Sequence, residues 1–395
     1  MKANAEFDLI VYGASGFTGR LVAEYLARRY GVGGEVKWAM AGRDAAKLAA
    51  VRDEIGAPAE TPLVIADAGD PASLKAMVGR TRAVITTVGP YQLYGEPLVA
   101  ACAEAGTDYL DLCGEPAWMR HMIDAYEAKA KASGARIVFS CGFDSIPFEL
   151  GVYFMEQEAV RRNGKPAPRV KSRVRGMRGG FSGGTAASLD ATMAAAAKDP
   201  SILALLKNPF SLTPGFDGPE QPKGNRAEHD DDLQLWTAPF VMAAINTRNV
   251  HRSNALMGHP WGRDLVYDEM ILTGPGEQGQ AVAEKMASRH GKELGGPDGP
   301  KPGEGPSKEE RESGFFDVLV VGVYPDGAQV RASVKGDKDP GYGSTSKMIS
   351  ESGVCLVKDC REVPGGVWTP GAAMGDRLVK RLRDNAGLTF TVENA

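Results

Sequence analysis

Phe7-Asp8-Leu9-Ile10-Val11-Tyr12, followed by Gly13-Ala14-Ser15-Gly16-Phe17-Thr18-Gly19, is the stretch whose reading decides the fold. The first six residues are a short, mainly apolar run, the pattern of a strand buried on both faces. Behind the glycines, Arg20 to Ala27 reads as a helix with Leu21, Val22, Tyr25 and Leu26 on one side. Three glycines at i, i+3 and i+6 therefore occupy a strand-to-helix turn. Glycine permits the tight turn and lets backbone N–H groups approach a phosphate. The helix behind adds unpaired donors and the positive end of its dipole. The spacing is Gly-x-x-Gly-x-x-Gly rather than the commoner Gly-x-Gly-x-x-Gly. In this position it predicts a dinucleotide cradle made by Gly13, Ser15, Gly16, Phe17, Thr18 and Gly19.

Outward from that turn, Val36 to Arg43 reads as a second buried strand, and Asp44 as the N-cap of a helix running to Ile55. An acidic residue at the end of this strand would accept the adenosine ribose hydroxyls of NAD. Arg43 stands there instead, with Lys47 one helical turn on, and two cations suit a 2′-phosphate, which favours NADP(H). Leu63 to Ala66 is a third strand, and Asp67 at its end could meet the adenine amino group or serve the turn. A helix follows over Pro71 to Gly79. Ala83 to Val88 is the fourth strand, ending in Gly89-Pro90-Tyr91, so Val88, Gly89 and Pro90 are expected beside the nicotinamide half of the cofactor. Helices over 95–106 and 116–133 alternate with strands over 109–113 and 136–140. This alternation predicts an α/β fold, a Rossmann-type doubly wound parallel sheet with helices on both faces.

With 395 residues the chain is long enough for two domains. A net charge of −4 with both signs interspersed gives no nucleic-acid footprint. No apolar run approaches the ~20 residues of a membrane span, which leaves peripheral lipid contact open. The first strand starts at Phe7, leaving no room for a signal peptide. Five scattered cysteines lack zinc spacing. These features point to a reducing cytoplasm and no structural metal.

The rhythm changes near Ser145. A connecting helix is expected from Ile146 to Glu158, a strand over 170–177, a glycine-rich turn over 179–184 and a helix to Lys198. Residues 199–245 read largely as loop, and 274–313, rich in Gly, Pro and charge, as a mobile excursion. Strands over 315–324 and 328–335 flank the Pro325-Asp326-Gly327 hairpin turn, and could pair or pack between the subunits of a homodimer. Helices over 344–357 and 371–384 and a strand over 388–392 close the chain.

Taken together these residues resemble the saccharopine-dehydrogenase-like oxidoreductases, in the branch that includes the mycobacterial trans-acting enoyl reductases. The stretches that carry the resemblance are Gly13–Gly19, Ala41-Gly42-Arg43, Val88–Tyr91 with Tyr94–Pro97, and Asp111–Pro116. Cys141–Pro147, Pro302–Pro306 and Gly365–Pro370 complete the set, which spans nearly the whole chain. The resemblance implies an NADP(H)-binding Rossmann domain over 1–150. It implies an inserted α+β substrate or dimerisation domain over 151–340, and a segment, 341–395, returning to the first domain. In the enoyl reductase branch it implies an acyl or lipid-like substrate made by a polyketide synthase lacking its own reductase.

Reduction of a double bond needs a hydride from the nicotinamide and a proton from a nearby group. None of the eleven tyrosines has Lys at i+4, which argues against the Tyr-x-x-x-Lys chemistry of the short-chain dehydrogenases. Proton donors are expected at strand carboxyl ends: Tyr91 and Tyr94 after the fourth strand, Cys113 and Glu115 after the fifth, and Cys141 and Asp144 after the sixth, with Tyr91, Tyr94, Cys113 and Asp144 preferred. Cys113 is also placed to touch the cofactor. Two further readings remain: a saccharopine-type amino-acid dehydrogenase, with Arg173, Arg175 and Arg178 holding substrate carboxylates, and a non-catalytic NADP-binding sensor or partner protein. An apolar second-domain groove would favour the acyl substrate, clustered cations a dicarboxylate, and a filled crevice the sensor.

Overall fold

The structure is a computed structural model that describes residues 5–180, 183–290 and 304–394. β1 (Phe7–Tyr12), buried at all six positions, leads through the glycine turn into α1 (Phe17–Tyr30). β2 (Trp38–Gly42), α2 (Ala45–Glu54), β3 (Leu63–Ile65) and α3 (Pro71–Gly79) build outward on one side. β4 (Thr81–Thr86), α4 (Tyr91–Tyr94), α5 (Glu96–Ala105), β5 (Asp108–Leu110), α6 (Pro116–Ser133) and β6 (Arg136–Val138) build on the other. The strands lie in the order β3-β2-β1-β4-β5-β6, all parallel, as in a Rossmann sheet. The order reverses between β1 and β4, and the crevice outside their carboxyl ends is where ligands of such sheets bind. Asp44 and Asp70 cap α2 and α3 by accepting the Lys47 and Ala72 N–H groups.

Strands 2, 4, 5 and 6 are shorter at their carboxyl ends than the apolar runs predict. Beyond these ends the chain leaves the sheet, and Leu112 lines the crevice. Ser140 adopts a left-handed backbone with φ 60°. The Asp111 carboxylate holds it, accepting the Ser140 and Cys113 N–H groups at 2.9 and 3.0 Å.

α7 (Ile146–Asn163) crosses to a second, mixed sheet. This is built from β7 (Arg169–Arg178), α8 (Gly183–Lys198), α9 (Pro200–Lys207), β8 (Glu228–Asp230), β9 (Leu235–Pro239) and α10 (Ala243–Leu256). β10 (Val266–Gly274), α11 (Gly276–Ala287), α12 (Lys308–Ser313), β11 (Phe315–Val323) and β12 (Gln329–Gly336) continue it. A π-helical turn, Pro340–Ser344, runs into α13 (Thr345–Lys358), which packs on α1, β1 and β4 of the first sheet. β13 (Gly366–Trp368) then adds a seventh parallel strand beside β6. After α14 (Pro370–Asn385), the final strand β14 (Leu388–Glu393) pairs with β12 in the second sheet, ordered β14-β12-β11-β7-β10-β9-β8.

Several expectations change. The stretch read as loop, 199–245, holds α9, β8, β9 and the start of α10. Within 274–313, the described residues form α11 and α12, while 291–303 lie outside the described residues. The β11–β12 hairpin does not offer a free pairing edge, because β7 and β14 flank it. The C-terminal segment returns to the first sheet through α13 and β13 but ends in the second. The apolar core has two parts. One lies between the first sheet and α3, α5 and α6. The other starts beneath α1 and α13 and runs through α7 into the second sheet.

Candidate active site

The glycine turn forms as its spacing requires. Gly13 has φ +89°, and a Cβ there would meet Val88 Cγ2 at 2.8 Å and Thr87 Oγ1 at 2.9 Å. A Cβ on Gly19 would lie 2.1 Å from the Gly13 carbonyl oxygen, so the start of α1 sits directly against the turn. Gly16 is the N-cap of α1 and, unlike α2 and α3, this helix has no side-chain cap. Its first-turn N–H groups therefore fit a phosphate. The Ser15 hydroxyl lies in the turn beside Gly42. Phe17 turns toward the second half instead, with its ring 5.1 Å from that of Tyr342 and Arg20 and Arg311 over it. Thr18 lines the cavity described below.

At the end of β2, Arg43 and Lys47 are exposed, and neither has an ion-pair partner among the described residues. This pair of free cations fits a 2′-phosphate. Asp67 uses one carboxylate oxygen to accept the Gly69 N–H at 2.8 Å, a turn-forming role that leaves its second oxygen. Val88 covers Gly13, Gly89 lines the cavity and Pro90 is the N-cap of α4.

The cavity, about 480 Å³, opens between the carboxyl ends of β4, β5 and β6 and the second sheet's elements. Its walls are mainly apolar, with Leu112, Phe143, Met193, Phe240, Met242 and Ile245 among them. Asp144 stands in this wall. Its carboxyl keeps part of its surface open to the cavity but is otherwise ringed by protein, and burial pushes it up to about 7. No hydrogen bond or ion pair holds it among the described residues.

The other expected donors sit differently. Tyr91 lines the cavity, but its hydroxyl donates to the Thr86 carbonyl at 3.2 Å and accepts the Leu112 N–H at 3.1 Å, joining the ends of β4 and β5. Burial, with the nearby Asp111 carboxylate, raises it well above the usual tyrosine range. Tyr94 lies at the outer end of α4, half exposed, away from the cavity. Cys113 is displaced behind the wall formed by Leu112 and Gly114. Its sulfur accepts the Glu115 N–H at 3.3 Å, and burial, with the Asp111 carboxylate, pushes the thiol up. Neither group faces the space where a substrate would sit.

Glu115, the other candidate after the fifth strand, lines the cavity and accepts the Tyr91 and Gln92 N–H groups at 2.9 and 2.8 Å and the Ser188 hydroxyl at 2.8 Å, tying α4 to α8. Other cavity residues escaped the sequence reading. Phe240 to Ile245 and Arg248 come from the start of α10 and the loop before it. Pro340, Gly341 and Tyr342 come from the π-helical turn, which Asp339 caps by accepting the Tyr342 and Gly343 N–H groups. That turn had a visible signal, since Asp339-Pro340-Gly341-Tyr342-Gly343 is a second glycine-rich strand-to-helix junction. The arginines considered for dicarboxylate binding are engaged elsewhere. Arg173 pairs with Asp230 at 2.9 Å and Asp268 at 3.0 Å, and Arg175 with Asp317 and Glu393 at 2.7 Å each. Arg178 stacks over Phe315. None lines the cavity.

Such a crevice, joined to an uncapped phosphate turn and two free cations, defines an NADP(H)-dependent oxidoreductase. Residues 9–138 match the family model described as the saccharopine dehydrogenase NADP binding domain. The chain is 42% identical to a Mycobacterium tuberculosis protein provisionally named a trans-acting enoyl reductase, over 95% of each chain. It is 38% identical to the trans-acting enoyl reductase of Mycobacterium ulcerans, over 96% of each. Apo saccharopine dehydrogenase (L-Glu forming) of Saccharomyces cerevisiae shares the fold, with a TM-score of 0.54 and 12% identity over 98% of this chain and 100% of that one. The chain belongs to the saccharopine-dehydrogenase-like oxidoreductases, in the branch whose named members are trans-acting enoyl reductases. Among the described residues, no helix is long and apolar enough to cross a membrane, and no group of His, Cys, Asp and Glu is placed to hold a metal ion.

Proposed function

We propose that the protein is an NADPH-dependent reductase of an enoyl or other acyl, lipid-like substrate, and that Asp144 donates the proton. The observation that carries this is the Asp144 carboxyl, pushed up to about 7, in the wall of a mainly apolar cavity at the carboxyl edge of the Rossmann sheet. Saturating an enoyl double bond adds a hydride to one carbon and a proton to its neighbour, and bound NADPH supplies the hydride. The first-turn N–H groups of α1 would hold the cofactor's pyrophosphate, and Arg43 with Lys47 its 2′-phosphate. Gly89 and Thr87 would lie toward its nicotinamide end. The apolar wall receives the acyl chain and excludes water. With its pKa near 7, Asp144 is partly protonated at neutral pH and can give the proton up within the cavity, because a general acid works best when its pKa lies near the working pH.

Tyr91 supports the geometry by joining two strand ends. Cys113 has no part in the proton transfer. The relatives are named trans-acting, which supports a substrate supplied by a separate protein; we take that protein to be a polyketide synthase and place the reaction in the cytoplasm. Engagement of Arg173 and Arg175 with carboxylates within the protein weakens the amino-acid dehydrogenase reading, and an open cavity weakens the sensor reading. The test is NADPH consumption against a panel of enoyl-acyl thioesters and against saccharopine-pathway substrates. Turnover of an enoyl thioester is expected. NADPH binding with no turnover of any panel member would sink the proposal.

A further inference from the structure

Arg248 is the cavity residue whose presence the acyl-reductase reading does not explain. It sits on α10, lines the cavity and is only 6% exposed. Its guanidinium donates to the Ser211 hydroxyl at 3.1 Å and to the carbonyls of Ala244 and Leu206. All three acceptors are neutral. Among the described residues no carboxylate lies within ion-pair distance of it, whereas two neighbouring arginines each have one. Arg120 pairs with Asp124 at 2.8 Å, and Arg252 approaches Glu127 at 3.7 Å. The Leu206 carbonyl belongs to the last turn of α9 and carries only the fractional charge of a helix end.

A buried cation without a counter-ion is costly. The cost is visible in Arg248 itself, which burial lowers to about 10. His251, one turn on, relieves none of it, being held neutral with its pKa lowered to about 3 by burial and by the Arg248 charge. Guanidinium has five N–H donors, of which three are used, so two remain for a ligand. The planar fork suits a carboxylate or a phosphate.

We infer that Arg248 is an anion-recognition residue, and that the cavity takes an acyl chain carrying one anionic oxyacid group, which Arg248 binds. The group is either a carboxylate on the chain itself or a phosphate on the handle to which the chain is attached. Both have the same chemistry at Arg248 and differ in where the charge sits. This rests on the reading of the cavity as an acyl site. It makes the cavity amphipathic, apolar along the chain and cationic at one point, and so selects one end of the substrate.

Calorimetric titration of the NADPH-saturated protein tests this without requiring turnover. The probes are octanoate, octyl phosphate and octanol, which share a chain and differ in the head group. Octanoate or octyl phosphate, or both, should bind at least tenfold tighter than octanol, and the tighter of the two identifies the anion. In Arg248→Met that preference should vanish while octanol affinity changes less than threefold. Arg248→Gln is shorter but keeps a polar head without charge, should behave alike, and serves if the methionine variant does not fold. Equal affinity of all three probes for the wild-type protein overturns the inference. So does a preference that survives in either variant, since the anion would then be held elsewhere. An Arg248-dependent preference in a protein that reduces no enoyl thioester would uphold the anion site and strike only the reductase reading.

Discussion

Asp144→Asn separates a catalytic carboxyl from a buried structural one. Burial lifts this carboxyl from an ordinary 3.8 to about 7. That difference corresponds to roughly 4 kcal/mol at about 1.4 kcal/mol per pH unit. Because part of the group faces the open cavity, screening reduces the expected effect to about 2 kcal/mol. The native state holds this proton more tightly than the unfolded chain does. The stability it contributes is therefore fully present below the unfolded value near 3.8 and is lost as pH rises through about 7. Asparagine has no such proton to lose. The variant should match the wild type near pH ~4 and exceed it by about 2 kcal/mol near pH ~8.5, read by urea denaturation. Glu269, pushed up to about 8 by burial and in smaller part by the Asp144 charge, should titrate lower in the variant. Activity should move the other way. Loss of a general acid lowers kcat/KM by about 10²- to 10⁴-fold, and the alkaline fall of the wild-type profile above pH ~7 should be absent from the residual rate. A variant that keeps the wild-type rate and alkaline limb, or a stability difference that does not change with pH, refutes the assignment.

Three further outcomes test the cofactor turn and the crevice wall. Arg43→Ala removes an exposed cation that has no ion-pair partner among the described residues, so stability should be unchanged. Its NADPH affinity should fall about 10- to 100-fold while NADH affinity barely moves, and fluorescence titration showing equal loss for both would remove the 2′-phosphate role. In Gly19→Ala the new methyl lies 2.1 Å from the Gly13 carbonyl, so the turn must open. A melting study should show about 1–3 kcal/mol of lost stability together with lost NADPH binding, and tight binding by the variant would mean the turn is not the cradle. Tyr91→Phe leaves the Leu112 N–H without its acceptor. It should cost about 1–3 kcal/mol in stability yet retain the alkaline limb of the activity profile, and loss of that limb would make Tyr91 the donor in place of Asp144.

The Rossmann half was legible because its signals are local. A run such as Phe7–Tyr12 is buried on both faces and advertises it, and the glycine spacing follows from contacts within a few residues. α10 defeats the same approach. Nine of its fourteen residues are buried, and they include Asn246, Arg248, Asn249, His251, Arg252 and Ser253. A helix so widely buried shows no apolar stripe, and several of its polar groups bond to partners distant in sequence. Asn249 donates to Ser145 at 2.7 Å, and Ser253 to Glu149 at 2.5 Å. α9 fails in the opposite sense, since Ile202, Leu203, Leu205 and Leu206 suggest a core helix while none of its residues is buried. At the site, strand-end position pointed equally to Tyr91, Cys113 and Asp144. What separates them is the burial and bonding of each group, and Phe240 and Met242, which help enclose Asp144's cavity, lie about a hundred residues further along the chain.

The last stretch of chain supplies β13 to the edge of one sheet and, a single helix later, β14 to the edge of the other. Neither sheet is complete until residues 366–393 have been made. During translation both halves must wait, each with an unfilled edge, and they become finished in almost the same moment. A protein cut after residue 340 would therefore yield two incomplete sheets rather than two working modules. Ending the chain before Leu388 would bare the backbone of β12 to strands of other molecules, so the last strand guards against aggregation as well as closing the fold.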